Sequence, residues 1–189
     1  MADFENDIEH CLKVLKSGGI ILYPTDTVWG IGCDATDAGA VEKIYTLKKR
    51  SDEKTMIVLV ADEREILQYA ASPDLQVFDY LQQSEKPTTV IYDGAIGLAD
   101  NLVGSDGTIA IRICNEEFCR HLIKRFRKPI VSTSANISGQ PTAGIFPQIS
   151  DEIKNGVDYI VKHRQSDDFI AAPSAVIKWD KGVVTIIRP

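Results

Sequence analysis

The chain has 189 residues, 44% hydrophobic and 25% charged, which suits a folded domain with a core and excludes a disordered segment. No run approaches the roughly 18 to 20 apolar residues of a membrane helix, and the acidic start MADFENDIEH is unlike a signal peptide, so one cytoplasmic domain over 1–189 is expected. A net charge of −6 argues against a general nucleic-acid coat, yet two stretches are basic: Lys43–Lys54, with five positive and two negative residues, and Arg120–Lys128, with five positive and none negative.

The first predicted element is an amphipathic helix over Asp3–Ser17, with Phe4, Ile8, Cys11, Leu12 and Leu15 on one face and Gly18-Gly19 as its stop. A short strand, Ile20–Tyr23, leads into YPTDTVWGIGCD (Tyr23–Asp34). There Pro24 ends the strand, Thr25, Asp26 and Thr27 form a hydroxyl-rich turn, and Gly30 and Gly32 allow close backbone approach. The glycines lack GxGxxG spacing, and an ordinary tight turn with a packed Trp29 remains an alternative. Asp37 can cap a helix over Ala38–Lys48 that ends in Lys48, Lys49 and Arg50, with Lys54 beyond. That cluster either complements the helix dipole or grips phosphate.

Met56–Val60 predicts a buried strand, Glu63–Ala70 and Pro73–Gln82 helices, Thr88–Tyr92 a strand, and Asp93–Gly107 a glycine-bearing loop. Thr108–Ile113, TIAIRI, places Arg112 inside an apolar strand, where a charge needs a ligand or an ion-pair partner. Glu116–Lys128 predicts a helix with a basic surface, either solvated or touching RNA. Ile130–Gly139, IVSTSANISG, begins as a strand and turns abruptly polar. Its hydroxyls either wall a pocket for a small polar or anionic ligand or cap their own backbone. A short helix over Pro147–Asn155 and strands at Tyr159–Val161, Ala175–Lys178 and Val183–Arg188 follow. Cys11, Cys33, Cys114 and Cys119 have no metal-type spacing and read as buried free thiols. The irregular order of strands and helices predicts an α/β fold with a mixed sheet.

Taken together, YPTDTVWGIGCD, LKKR with Lys54, Arg112 in its strand and STSANISG resemble, in order and spacing, the YrdC-type threonylcarbamoyl-AMP synthases over about Ile20 to Arg188. The resemblance implies a twisted mixed β-sheet with helices packed around it and a large, positively lined open cavity. It implies a nucleotidyltransferase that joins L-threonine, bicarbonate and ATP into threonylcarbamoyl-AMP and pyrophosphate, with Mg2+ arriving on ATP. Downstream transferase proteins would then pass the group to tRNA. Carried over by motif, Thr27, Arg112, Ser132 and Ser174 would bind threonine. Lys48, Arg50, Lys54, Thr108, Ser134, Thr142 and Arg188 would bind ATP. Asp26 could touch the Mg2+ through water. No catalytic base is assigned, because His10, His121 and His163 lie outside the motifs; positioning and charge, with Arg50 and Lys54, carry the chemistry. Ser51 stands where the family usually has proline, and Glu85-Lys86-Pro87 where it has Pro-Gly-Pro. The extra C-terminal domain of longer members is not expected. Two other classes stay open: a double-stranded-RNA-binding or ribosome-maturation protein using the Arg120–Lys128 face, and a related adenylate-forming enzyme with another amine substrate.

Overall fold

Short apolar runs bounded by turn residues make the strands here, and Leu22, Ile31, Val58, Val90, Ile111 and Val131 within them are almost fully buried. The computed structural model describes residues 4–51 and 56–189. Nine strands form one sheet: β1 (Ile21–Tyr23), β2 (Gly30–Gly32), β3 (Ile57–Val60), β4 (Thr88–Tyr92), β5 (Ile109–Ile113), β6 (Ile130–Ser134), β7 (Tyr159–Ile160), β8 (Ala175–Asp180) and β9 (Val183–Arg188). Their order is β7-β1-β2-β6-β3-β5-β4-β8-β9. The β1/β7, β3/β5 and β4/β8 pairs are parallel and the rest antiparallel, so the sheet is mixed, as expected.

Six α-helices accompany these strands among the described residues: α1 (Glu5–Lys16), α2 (Ala38–Lys48), α3 (Glu63–Tyr69), α4 (Gln76–Gln83), α5 (Glu117–Phe126) and α6 (Asp151–Gly156). None is long and apolar enough to cross a membrane. Period-2 alternation gives the sheet two faces. Val58, Val60, Val90, Ile111 and Val131 are fully buried on one of them, and α3 and α5 pack against β3. The other face carries the polar residues of the site.

Local chemistry sets the helix ends. Gly18, at φ 71°, terminates α1. The Asp37 carboxylate accepts from the N–H groups of Gly39 and Ala40 at the start of α2. The helix expected over Pro73–Gln82 begins later, because Asp74 Oδ1 takes the Gln76 N–H and leaves residues 73–75 outside it. Likewise Ser150 caps Ile153, so α6 starts at Asp151, and Pro147 belongs to a separate 3-10 turn, Phe146–Gln148. All four cysteines are buried and unpaired, and burial holds the thiols of Cys11, Cys33 and Cys119 well above their ordinary range.

Candidate functional site

A cavity of about 310 Å³ opens on the polar face of the sheet. Its floor follows from strand register. Gly30 on β2 faces Ser134 on β6, Ser132 faces Ile57 on β3, Leu59 faces Arg112 on β5, and Ala110 faces Ile91 on β4. Alternation then points Ser132, Ser134, Arg112 and Ala110 to the same side. Val176 of β8 and Arg188 of β9 close the far end. Gly30 keeps the floor open: a Cβ there would stand 3.1 Å from Ser132 Oγ.

Eight of the eleven residues expected to bind substrate line this cavity: Thr27, Arg50, Arg112, Ser132, Ser134, Thr142, Ser174 and Arg188. The STSANISG stretch divides between the cavity and the turn that follows it. Ser132, Thr133 and Ser134 line the cavity, whereas Asn136 Nδ2 donates to the carbonyls of Ile137 and Gln140 and closes the following turn. The Thr25 hydroxyl sets the opposite wall. It accepts the Thr27 N–H at 3.0 Å, donates to Val28 O at 2.8 Å, and lies 3.1 Å from Thr27 Oγ1.

Arg112 has an ion-pair partner and also faces the cavity. Its Nη2 lies 3.1 Å from Asp26 Oδ1, so it has a counter-ion. It also lines the cavity, and its Nε and Nη2 have no hydrogen-bond partner among the described residues. Arg188 donates from Nε and Nη2 to Ser174 O at 3.0 and 2.8 Å. Partial desolvation, and then the charge of Arg112, lower the pKa of Arg188; desolvation also lowers that of Arg50. Three guanidinium groups around one cavity make it a site for anions.

The basic run after α2 divides three ways. Lys49 takes a left-handed conformation at φ 52°, and this turn sends its neighbours in different directions. Arg50 reaches the cavity. Lys49 points to solvent and pairs with Glu152 at 2.8 Å. Lys48 is buried and donates to Ser134 O and, at 2.6 Å, to Asn136 O. The structure thus places Lys48 behind the wall that β6 presents, not on it; burial and then Arg50 push its pKa down to about 8. Thr108 also stands away from the cavity, because its hydroxyl donates to Asp106 Oδ1 at 2.7 Å within an exposed loop. Lys54 lies outside the described residues. None of the three histidines lines the cavity.

Two contributors have roles that the sequence does not show. Thr89 is buried in β4, with Oγ1 2.9 Å from Ser174 Oγ. Asp26 reads in the sequence as a turn residue that could touch Mg2+ through water; in the fold it is the counter-ion of Arg112. A larger cleft of about 780 Å³ lies between the ends of β3 and β5 and helix α4; it contains Asp26 but none of the eight residues above. Its volume is greater, yet its charges are of both signs, including Asp62, Glu63, Arg64 and Arg120. The smaller cavity is therefore the chemically focused one.

Comparisons with known proteins follow the same outline. A family model covering Sua5, YciO and YrdC proteins, described as "Telomere recombination", matches residues 13–189. The chain is 34% identical over 162 residues to the threonylcarbamoyl-AMP synthase of Idiomarina loihiensis, covering 84% of this chain and 86% of that one. It is 32% identical over 160 residues to that of Pseudoalteromonas translucida, covering 83% and 86%. Among solved structures, P. abyssi Sua5 complexed with L-threonine superposes with a TM-score of 0.86 at 23% identity, covering 98% of this chain and 54% of that one. E. coli YciO gives 0.83 at 22%, covering 97% and 88%. These two likenesses speak to the fold, and the chain spans about half the length of the longer Sua5 structure.

Proposed function

The chain belongs to the Sua5/YciO/YrdC family, and from that premise we propose that it is an L-threonylcarbamoyladenylate synthase, a nucleotidyltransferase acting on L-threonine, bicarbonate and ATP. The observation that carries this reading is the sharing of one cavity by two groups of residues. Arg112, Thr27, Ser132 and Ser174 suit an amino acid, and Arg50, Ser134, Thr142 and Arg188 suit a polyphosphate. The name borne by the bacterial relatives, and the L-threonine in the P. abyssi Sua5 complex, favour threonine as the amino acid.

The residues then have simple tasks. Arg112 offers Nε and Nη2 to the carboxylate, and the hydroxyls around it orient the rest of the amino acid. The amine and bicarbonate give a carbamate and water. A carbamate oxygen attacks the α-phosphorus of ATP, the bond to the bridging oxygen breaks, and pyrophosphate leaves with the electron pair. Arg50 and Arg188 neutralise charge that would otherwise oppose this approach. Catalysis by positioning fits a wall without histidine. Among the described residues, no cluster of three or more His, Cys, Asp or Glu side chains fits a metal ion. Mg2+ would come with the triphosphate, whose oxygens and waters hold it with little help from protein ligands. A cytoplasmic setting, one domain over the whole chain, and tRNA as the acceptor reached through downstream transferase proteins complete the proposal.

The RNA-binding alternative loses part of its basis. On the α5 face, Lys128 pairs with Asp34 at 2.6 Å and Arg125 pairs with Glu5, so two of the cations expected to meet RNA are neutralised within the chain. The decisive experiment incubates the protein with ATP, threonine and bicarbonate and identifies products by mass spectrometry. Threonylcarbamoyl-AMP and pyrophosphate are expected, each dependent on threonine and bicarbonate. ATP conversion that is no faster with both present would overturn the reading. A panel of other amino acids tests the related enzyme class with another amine.

A further inference from the structure

Ser174 is held by a residue that does not itself line the cavity. Thr89 is the second residue of β4, fully buried, with Arg112 of β5 and Val176 of β8 as its register partners. Its Oγ1 lies 2.9 Å from Ser174 Oγ and has no other hydrogen-bond partner among the described residues. The Ser174 hydroxyl also receives Arg188 Nη2 at 3.3 Å.

We propose that Thr89 is a positioning residue that turns the Ser174 hydroxyl into an obligatory donor toward the carboxylate of the bound amino acid. Each hydroxyl carries one proton and two acceptor lone pairs, whereas a guanidinium can only donate. Thr89 has no access to solvent, so its proton needs an acceptor inside the protein, and the oxygen within reach is Ser174 Oγ. Leaving that proton unpaired in the core would cost the desolvation of the group. Thr89 therefore donates, Arg188 donates, and both lone pairs of Ser174 Oγ are occupied. The Ser174 proton is left to point into the cavity beside Arg112, where it selects an acceptor and rejects a cationic group. The reverse polarity, with Ser174 donating to Thr89, would strand the Thr89 proton and present a lone pair to the carboxylate.

The inference rests on the proposed synthase reading, and steady-state kinetics on the full chain separate the two. Thr89→Val keeps the shape and removes the hydroxyl. It should raise KM for threonine about tenfold while kcat and KM for ATP stay within about twofold, because one buried hydrogen bond to a ligand-contacting group is lost. Thr89→Ser should restore a KM near that of the wild type. Combining Thr89→Val with Ser174→Ala should add no further loss to that of Ser174→Ala alone. If Thr89→Val does not fold, the same comparison is made between Thr89→Ser and Thr89→Ala. A wild-type KM in Thr89→Val, or an equal loss in Thr89→Ser, would make Thr89 a packing residue and overturn the inference while leaving the synthase reading intact. Absence of threonine-dependent pyrophosphate release in the wild type would overturn both.

Discussion

Nη2 of Arg112 lies 3.1 Å from Oδ1 of Asp26, and yet neither atom has a hydrogen bond among the described residues. Asp26 spends its other oxygen on the Asn115 N–H, at 3.2 Å. The pair is a close charge contact with bonding capacity in reserve on the arginine, which a carboxylate in the cavity can use. Asp26→Asn should therefore destabilise the ligand-free protein by about 3 kcal/mol, near the lower end of what losing one partner of a buried pair costs. The threonine-induced rise in Tm should be at least as large as in the wild type, because the ligand carboxylate takes over as counter-ion. Thermal denaturation with and without threonine checks this; a variant that no longer responds to threonine would show instead that Asp26 is needed to aim Arg112.

Arg50 should matter to nucleotide and little to folding. It is half-buried at the end of α2 and reaches the cavity from a loop end rather than from the sheet. Arg50→Ala is expected to raise KM for ATP tenfold or more, on the scale of a charge-assisted hydrogen bond worth about 1.5–3 kcal/mol. Its Tm should stay within a few degrees of the wild type. A large loss of Tm with unchanged KM would make the residue structural.

Lys48 gives the chain an alkaline signature. Its pKa is pushed down to about 8 in the folded protein, from an ordinary 10.5. Between those values the unfolded chain holds a proton that the folded one has released, so stability rises with pH across that window. The benefit is complete above about pH 10.5 and is lost as pH falls to about 8. Urea denaturation of the wild type and Lys48→Met, at one pH just below that window and one inside it, isolates the effect. The wild type should gain on the variant as pH rises; a difference that stays flat would mean that the two carbonyl contacts keep the ammonium charged.

Two glycines in β2 should separate stability from activity. A Cβ on Gly32 would lie 2.5 Å from Val131 O and 2.6 Å from a Tyr23 ring carbon, so backbone has to move. Gly32→Ala should cost about 1–3 kcal/mol, as overpacked cores do. A Cβ on Gly30 meets Ser132 Oγ at 3.1 Å, inside the cavity. Gly30→Ala should leave Tm closer to that of the wild type but raise KM for threonine. Chemical denaturation and steady-state kinetics on both variants check the contrast.

Much of the site is visible in the sequence because its chemistry breaks local rules. An arginine in an apolar strand and a strand that ends in alcohols each stand out from the residue pattern by themselves. Thr89 does not stand out, because a threonine is ordinary in a strand and only the parallel pairing of β4 with β8 brings it to Ser174. Lys48, Lys49 and Arg50 look alike in sequence; the left-handed turn at Lys49 that separates their fates has no glycine to mark it. The fate of the Thr108 hydroxyl is legible in Asp-Gly-Thr at 106–108, a local turn that consumes it. The basic face of α5 looks uniform because the acids that neutralise part of it, Glu5 and Asp34, come from far away in the chain.

The cavity floor runs from Gly30 on β2 to Arg188 on β9, and Arg188 follows every other contributing residue in the chain. During synthesis on the ribosome, the earlier strands can collapse onto α1 and α5 while that last guanidinium is still inside the exit tunnel. A nascent chain can thus hold most of its strands yet lack one of the three guanidinium groups of the cavity until β9 pairs with β8.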